Sequence, residues 1–119
     1  MTGGALKVYG LKNCDTCRKA VKWLDKRAIP YVFYDVCKDG VSRADIARWA
    51  KAVGWEVLLN KAGTTWRGLP DKRKQGLDEG LAVALMAGHV ALIKRPVFDL
   101  GSAVLVGFKE AQQQALERL

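Results

Sequence analysis

The hydrophobic and polar positions predict alternating strands and a helix in the first third of the chain. Residues 6–10 are a short, mostly apolar run that suits a strand. Residues 16–27 then predict a helix that Pro30 stops, and residues 31–36 are a nearly continuous β-type run, typical of a strand covered on both faces. A right-handed β-α-β unit is the economical interpretation. The predicted apolar helix face comprises Cys17, Ala20, Val21, Leu24 and Ala28.

The middle of the chain has the spacing of helices. Ser42 and Asp45 resemble a capping box with Asp in place of the usual Glu, and Gly54 is a natural helix end. Residues 55–59 add one or two turns, and residues 60–70 are predicted to be a loop. Asp78 is predicted to cap a further helix that ends at Gly88. The side chains predicted to point inward are Ile46, Trp49, Ala50, Val53, Leu81, Ala84 and Leu85.

The last third is strand-like again. Residues 97–106 predict a hairpin with a two-residue turn at Gly101-Ser102. Residues 109–119 predict an amphipathic helix whose apolar side carries Ala111, Ala115, Leu116 and Leu119. The element order predicts an α/β, thioredoxin-like fold with a four-stranded mixed sheet. We expect one domain over residues 1–119, in which residues 38–92 form a helical insertion between the βαβ and ββα halves.

Composition narrows the class of protein. The chain has 119 residues, of which 50% are hydrophobic and 27% charged, which excludes intrinsic disorder and a disulfide-rich miniprotein. No apolar run approaches the about 20 residues of a membrane span, and the N-terminus lacks the apolar core of a signal peptide. We therefore expect a cytoplasmic protein. The net charge of +8 is spread along the chain, which favours a solvated basic surface over a nucleic-acid footprint.

Cys14 and Cys17 form a CxxC pair, which in a small cytosolic chain is a redox or metal signal. Because Cys14 lies between a strand and a helix, the free N–H groups and the helix dipole are expected to lower its pKa. Cys17 either resolves a mixed disulfide on Cys14 or is a small core residue. The cations close in sequence are Lys12, Arg18, Lys19 and Lys22, and Asp15 opposes them.

Zinc is an alternative use of the cysteines. Cys14, Cys17, Cys37 and His89 are ligands of suitable type, but Cys37 and His89 lie too far apart for a compact metal-binding pattern. We therefore expect no metal, and Cys37 is expected to be a passive thiol.

Positive side chains elsewhere are candidates for binding an anion. Arg95-Pro96 precedes a predicted strand, where a thioredoxin-type fold carries a cis proline beside the active cysteine. Arg95 either binds an anion and stabilises the Cys14 thiolate, or is a surface arginine before a turn. Arg67, in a loop with two threonines, and Lys109, at the start of the last helix, are further candidates.

These segments together resemble the arsenate-reductase family of thioredoxin-fold proteins, and most closely its YffB-type branch. The resemblance covers essentially the whole chain. It rests on four segments, residues 9–20, 58–67, 93–97 and 106–109.

The resemblance implies an enzyme, a thiol–disulfide oxidoreductase that uses glutathione as cosubstrate and holds no bound cofactor. Cys14 matches the nucleophile of the family and Arg95 its arginine before the cis proline, while Cys17 is the candidate resolving thiol. The residues expected to bind glutathione or substrate are Lys12, Arg67, Pro96 and Lys109. The expected partner is glutathione or a thiol or disulfide substrate, with glutaredoxin as a further candidate. We expect a monomer with no nucleic-acid or membrane partner.

Two other functions within the resemblance stay open. Spx-type regulators, which bind RNA polymerase, also have a CxxC switch. True arsenate reductases use two further arginines for the oxyanion, and this chain has Asn60 and Lys109 at those positions. Lysine keeps the charge but not the bidentate fork of arginine, and asparagine has no charge. These two residues disfavour arsenate reduction.

Overall fold

A computed structural model describes residues 6–118 of the chain. They divide into two compact units. One unit runs up to Asp39 and resumes at Arg95, and the other is Gly40–Lys94. The second unit has nearly the bounds of the predicted helical insertion. That the whole chain folds as one domain stays a prediction.

The first unit is built on a four-stranded mixed sheet in the order β2-β1-β3-β4. Strand β1 is parallel to β2 and antiparallel to β3, and β3 is antiparallel to β4. The N–H of Leu100 donates to the carbonyl of Ala103 at 2.9 Å across the predicted two-residue turn, where Gly101 has a φ of 82°. The predicted sheet and hairpin are thus confirmed. The strands are β1 Leu6–Gly10, β2 Tyr31–Asp35, β3 Val97–Asp99 and β4 Val104–Val106.

Two helices complete this unit, α1 (Asp15–Lys26) and α7 (Glu110–Glu117). Helix α1 ends before Pro30: the N–H of Ile29 donates to the Leu24 carbonyl and the N–H of Ala28 to the Asp25 carbonyl, with Ala28 at a φ of 52°. These two bonds are those of a Schellman motif. Ala28 is therefore exposed. The prediction from spacing that Ala28 extends the apolar face of the helix is wrong. The buried core of the unit is Leu6, Val8, Ala20, Leu24, Phe98 and Leu116.

The second unit is helical. The Ser42 hydroxyl accepts from the N–H of Asp45 at 3.0 Å, and the Asp78 carboxylate accepts from the N–H of Leu81 at 2.8 Å, so both residues are confirmed as helix N-caps. The Asp45 carboxylate itself accepts from Arg48 Nη2 at 3.1 Å. Its helices are α2 (Arg43–Val53), α3 (Trp55–Leu58), α4 (Thr64–Arg67), α5 (Asp71–Lys74) and α6 (Glu79–Gly88), followed by a 3-10 turn at Val90–Leu92. Its buried side chains are Ile46, Trp49, Ala50, Leu58, Leu59, Ala82, Val83, Leu85, Met86, Leu92 and Ile93.

Several local predictions were wrong. Strand β2 is not covered on both faces, because it is an edge strand, and Val32 is 44% exposed. Leu81 is 53% exposed, because the buried side of α6 begins at the next residue. The predicted loop over residues 60–70 contains α4. Ala111 is exposed, and Leu119 lies outside the described residues.

Among the described helices, none combines the length and the apolar character that crossing a membrane requires.

Candidate active site

The first turn of α1 positions Cys14. The strand β1 ends at Gly10, and the chain turns so that the N–H of Cys14 donates to the carbonyl of Leu11 at 3.2 Å. Cys14 is the N-cap residue of α1, with extended φ and ψ of −100° and 123°, and its carbonyl accepts from the N–H of Arg18 at 3.0 Å. Its thiol therefore lies at the helix end where backbone N–H groups are free and the dipole is positive.

Cys17 lies one turn further along α1 and is only 1% exposed. The end of β1 makes room for its sulfur, since a Cβ placed on Gly10 would lie 2.6 Å from Cys17 Sγ. A glycine is thus required at this position for reasons of space. Both cysteines are free thiols, so the structure represents the reduced site.

The surroundings shift the pKa of the two thiols in opposite directions. Partial burial raises the pKa of Cys14, but the N–H and thiol of Cys17, the N–H of Thr16 and the charge of Arg95 lower it, and the net result is a pKa below the usual value. Burial, together with the neighbouring Cys14 sulfur, raises the pKa of Cys17 to about 11, although the Leu11 backbone and the charge of Arg95 act in the opposite direction. The predicted low pKa of Cys14 is confirmed.

Arg95 reaches this site from the other end of the chain. The Arg95–Pro96 peptide bond is cis, and the carbonyl of Pro96 accepts from the N–H of Gly107 at 2.9 Å. Pro96 is buried and Arg95 half-buried, and the guanidinium is close enough to lower the pKa of both cysteines. This placement agrees with the interpretation of Arg95 as a partner of the thiolate. Its catalytic role stays a prediction.

Lys12 and Lys109 are exposed in the same unit. The pKa of Asp35 is lowered first by the N–H of Lys38 and also by the N–H and ammonium of Lys12, which places Lys12 near that carboxylate. Lys109 is the N-cap residue of α7, and its N–H donates to Gln112 Oε1 at 2.9 Å. No contact places either ammonium at the sulfur of Cys14 in the described residues, and their binding roles stay predictions.

Arg67 and Asn60 belong to the helical unit, and the side chains of both form hydrogen bonds with the backbone of Ala62. Arg67 Nη1 donates to the carbonyl of Ala62 at 2.9 Å, and Asn60 Oδ1 accepts from the N–H of Ala62 at 3.0 Å. The expected role of Arg67 toward substrate therefore also stays a prediction.

The zinc alternative finds no support. Within residues 6–118, no group of three or more His, Cys, Asp or Glu side chains is placed to hold a metal ion. Cys37 is an exposed free thiol whose N–H donates to Asp35 Oδ1 at 2.9 Å.

Sequence reasoning missed two residues at this site. Gly10 sets the space for Cys17, and the Thr16 N–H helps lower the pKa of Cys14. The signal in the sequence is the glycine itself, because a glycine at the end of a strand often marks a place where another group approaches the backbone closely.

The ArsC family model matches residues 9–116. This chain belongs to the ArsC family. An uncharacterized protein from Haemophilus influenzae is 40% identical over 110 residues, which cover 92% of this chain and 96% of the relative. The resemblance to the arsenate-reductase family is therefore confirmed.

Two solved structures are similar throughout. One, named YFFB protein, is 43% identical with a TM-score of 0.89 and covers 94% of this chain and 98% of its own. The other, an arsenate reductase (ArsC) related protein from Brucella melitensis, is 40% identical with a TM-score of 0.75 and covers 100% of this chain and 99% of its own. The thioredoxin-like α/β fold is thus confirmed, and family membership together with the paired cysteines supports a thiol-based redox function.

Proposed function

We propose that this protein is a glutathione-dependent thiol–disulfide oxidoreductase in which Cys14 is the nucleophile. One observation carries the proposal: the N-cap residue of α1 has a half-buried thiol of lowered pKa, beside a second thiol and the guanidinium of Arg95. A thiolate at neutral pH is the reactive form in disulfide exchange, and a nearby cation and helix N-terminus stabilise it.

In the first step the Cys14 thiolate attacks one sulfur of a substrate disulfide. The new S–S bond joins Cys14 to that sulfur, the original S–S bond breaks, and the departing thiolate takes a proton from water. The result is a mixed disulfide on Cys14. Arg95, beside Cys14, is proposed to hold the thiolate before attack and a carboxylate of the substrate or of glutathione.

Cys17 supplies a route for the second step. Once Cys14 is in a disulfide it carries no charge, so the repulsion that helps raise the pKa of Cys17 is gone. The Cys17 thiol then loses its proton to water and attacks Cys14 Sγ, which releases the reduced substrate and leaves a Cys14–Cys17 disulfide. Two glutathione molecules reduce that disulfide and become oxidised glutathione. In the alternative route, a glutathione thiolate attacks the mixed disulfide and Cys17 stays in the core.

Lys12, Arg67 and Lys109 are proposed to bind the carboxylates of glutathione or of the substrate, and Pro96 is a further proposed binding residue. The support is their positive charge, and Lys109 keeps the charge of the arginine that the family has at that position. Glutaredoxin is a further proposed partner for the reduction step, since it supplies the same thiol chemistry.

The test is intact-mass measurement after equilibration in glutathione buffers over a range of reduction potentials. We expect a glutathione adduct or a Cys14–Cys17 disulfide near the poise of a reducing cytosol. Cys14→Ser should abolish both products, Cys17→Ser should leave the Cys14 adduct trapped, and Cys37→Ser, the matched control, should behave like the wild type. Unmodified Cys14 until strongly oxidising conditions would overturn the proposal.

Arsenate reduction is the second candidate, and membership in the ArsC family favours it. Asn60 supplies no charge for an oxyanion, and its side chain accepts from Ala62 within its own loop. We therefore expect no oxidation of NADPH when arsenate, glutathione and glutathione reductase are added to the protein. Arsenate-dependent oxidation that disappears in Cys14→Ser would establish this activity instead.

A further inference from the structure

A groove of about 270 Å³ lies along α1 beside the edge strand β2. Its floor is apolar. Leu11, Val21 and Phe33 are half-buried there, and the Cys17 thiol, whose pKa burial raises to about 11, adds an uncharged wall. The full lining is Leu11, Lys12, Cys17, Arg18, Val21, Lys22 and Phe33.

Every charged side chain that lines the groove is positive. Arg18 and Lys22 are one turn apart on α1, and both are exposed. Arg18 Nε donates to the Lys12 carbonyl at 2.9 Å, which holds the guanidinium at the rim. Since the Lys12 ammonium also faces Asp35, the positive field over the groove comes mainly from Arg18 and Lys22.

The shape of the groove fits a peptide side chain better than a larger ligand. Its volume is below the about 300–1,000 Å³ of typical small-molecule sites, and a bulky apolar side chain fills such a space. Phe33 belongs to β2, which pairs within the described sheet with β1 alone and so presents an edge along which an extended peptide can run.

We propose that this groove binds an acidic peptide segment of a partner protein, seating one bulky apolar side chain between α1 and β2 while its carboxylates contact Arg18 and Lys22. The inference does not depend on the glutathione reaction. It assigns to the groove, which Cys17 of the CxxC pair lines, a role in selecting a partner by charge and shape.

The test is an NMR titration of the reduced, ¹⁵N-labelled full chain with the capped hexapeptide Glu-Asp-Phe-Leu-Asp-Glu. We expect shifts concentrated at the amides of Leu11, Arg18, Val21, Lys22 and Phe33, and weaker binding as salt rises, because exposed charges are screened. A hexapeptide with Ser in place of Phe and Leu tests the apolar contact, and Lys-Lys-Phe-Leu-Lys-Lys tests the charge. Both should bind more weakly.

Two pairs of variants keep the test specific. Lys22→Glu should weaken binding by about threefold to tenfold, since it reverses a surface charge, whereas Lys26→Glu makes the same change one turn outside the groove and should have little effect. Val21→Ser should also weaken binding, and Val32→Ser, at an exposed position of β2, should not.

Three outcomes would overturn the proposal: no shifts at millimolar peptide, equal loss of binding in Lys22→Glu and Lys26→Glu, or shifts at these amides with 3-phenylpropionate but not with the peptide. The last result would make the groove a site for small apolar acids. Because these measurements use reduced protein without glutathione, they can fail while Cys14 still exchanges disulfides, and the reverse holds too.

Discussion

The two sides of the first turn of α1 differ although they belong to one CxxC pair. On one side Cys14 is half-buried, lies at the N-cap position of the helix and has a lowered pKa beside Arg95. On the other side Cys17 is fully covered, contacts Gly10 and lines an apolar groove, and its pKa is raised to about 11. Three residues of separation thus place one thiol in a positive field and the other in an apolar environment.

The contact between the two cysteines shifts the pKa of two chemically identical thiols in opposite directions. The thiol of Cys17 donates to the sulfur of Cys14, which favours the thiolate of Cys14 and the neutral thiol of Cys17. Burial then decides which cysteine keeps its proton, since it penalises charge more strongly at the more covered sulfur. The surroundings therefore favour the thiolate at Cys14 and the neutral thiol at Cys17, so the two cysteines are not equivalent.

The largest expected effect is in alkylation. At about pH 8 the thiolate fraction of Cys17 is about one in a thousand, because its pKa is about 11, whereas the pKa of Cys14 is lowered from its usual value. Iodoacetamide should therefore label Cys14 first, and labelling of Cys17 should rise with pH up to about 11. Peptide mapping by mass spectrometry measures both rates.

Guanidinium-unfolded protein is the control for that experiment, since all three cysteines should then react at similar rates. Equal labelling of Cys14 and Cys17 in the folded chain would contradict the contrast between the two sides.

Gly10→Ala tests the covered side. The added Cβ would lie 2.6 Å from Cys17 Sγ, so we expect overpacking to lower the free energy of unfolding by about 1–3 kcal/mol and labelling of Cys17 to accelerate. Gly88→Ala is the matched control, because a Cβ there meets no atom within 4 Å and alanine favours a helix. Denaturant unfolding compares the two, and equal stabilities would show that the Gly10 contact has little energetic weight.

The smallest expected effect is the change in the pKa of Cys14 when Arg95 is replaced. Arg95→Gln removes the positive charge and should raise the pKa of Cys14, while Arg95→Lys keeps a charge and should raise it less. Thiolate absorbance in the ultraviolet, followed against pH in a Cys17→Ser, Cys37→Ser background, reports Cys14 alone. An unchanged pKa in Arg95→Gln would remove Arg95 from the electrostatics of the site.

Local features of the sequence were sufficient for most elements of the fold. Ser42 and Asp78 cap helices through bonds to N–H groups three residues away, and the Gly101-Ser102 turn closes its own hairpin. These interactions join neighbours in the chain, so residue type and spacing contain the information. The same holds for the place of Cys14 at the start of α1, since the strand before it and the helix after it are both predicted from neighbouring residues.

The long-range features of the site depend on which strands become neighbours in the sheet. Periodicity could not show that β2 lies at the edge of the sheet, which leaves Val32 exposed and opens the groove beside Phe33. Periodicity also could not show which cation lies near the Cys14 thiolate. Arg95, just before β3, lowers the pKa of Cys14, whereas Arg18, which is closer in sequence, lines the groove. By itself the sequence determined a thioredoxin-like chain with a thiol at a helix N-terminus. The Arg95 charge beside that thiol and the Phe33 side of the groove beside Cys17 come from residues farther away in sequence, and the pairing of β1 with β3 and β2 brings them close.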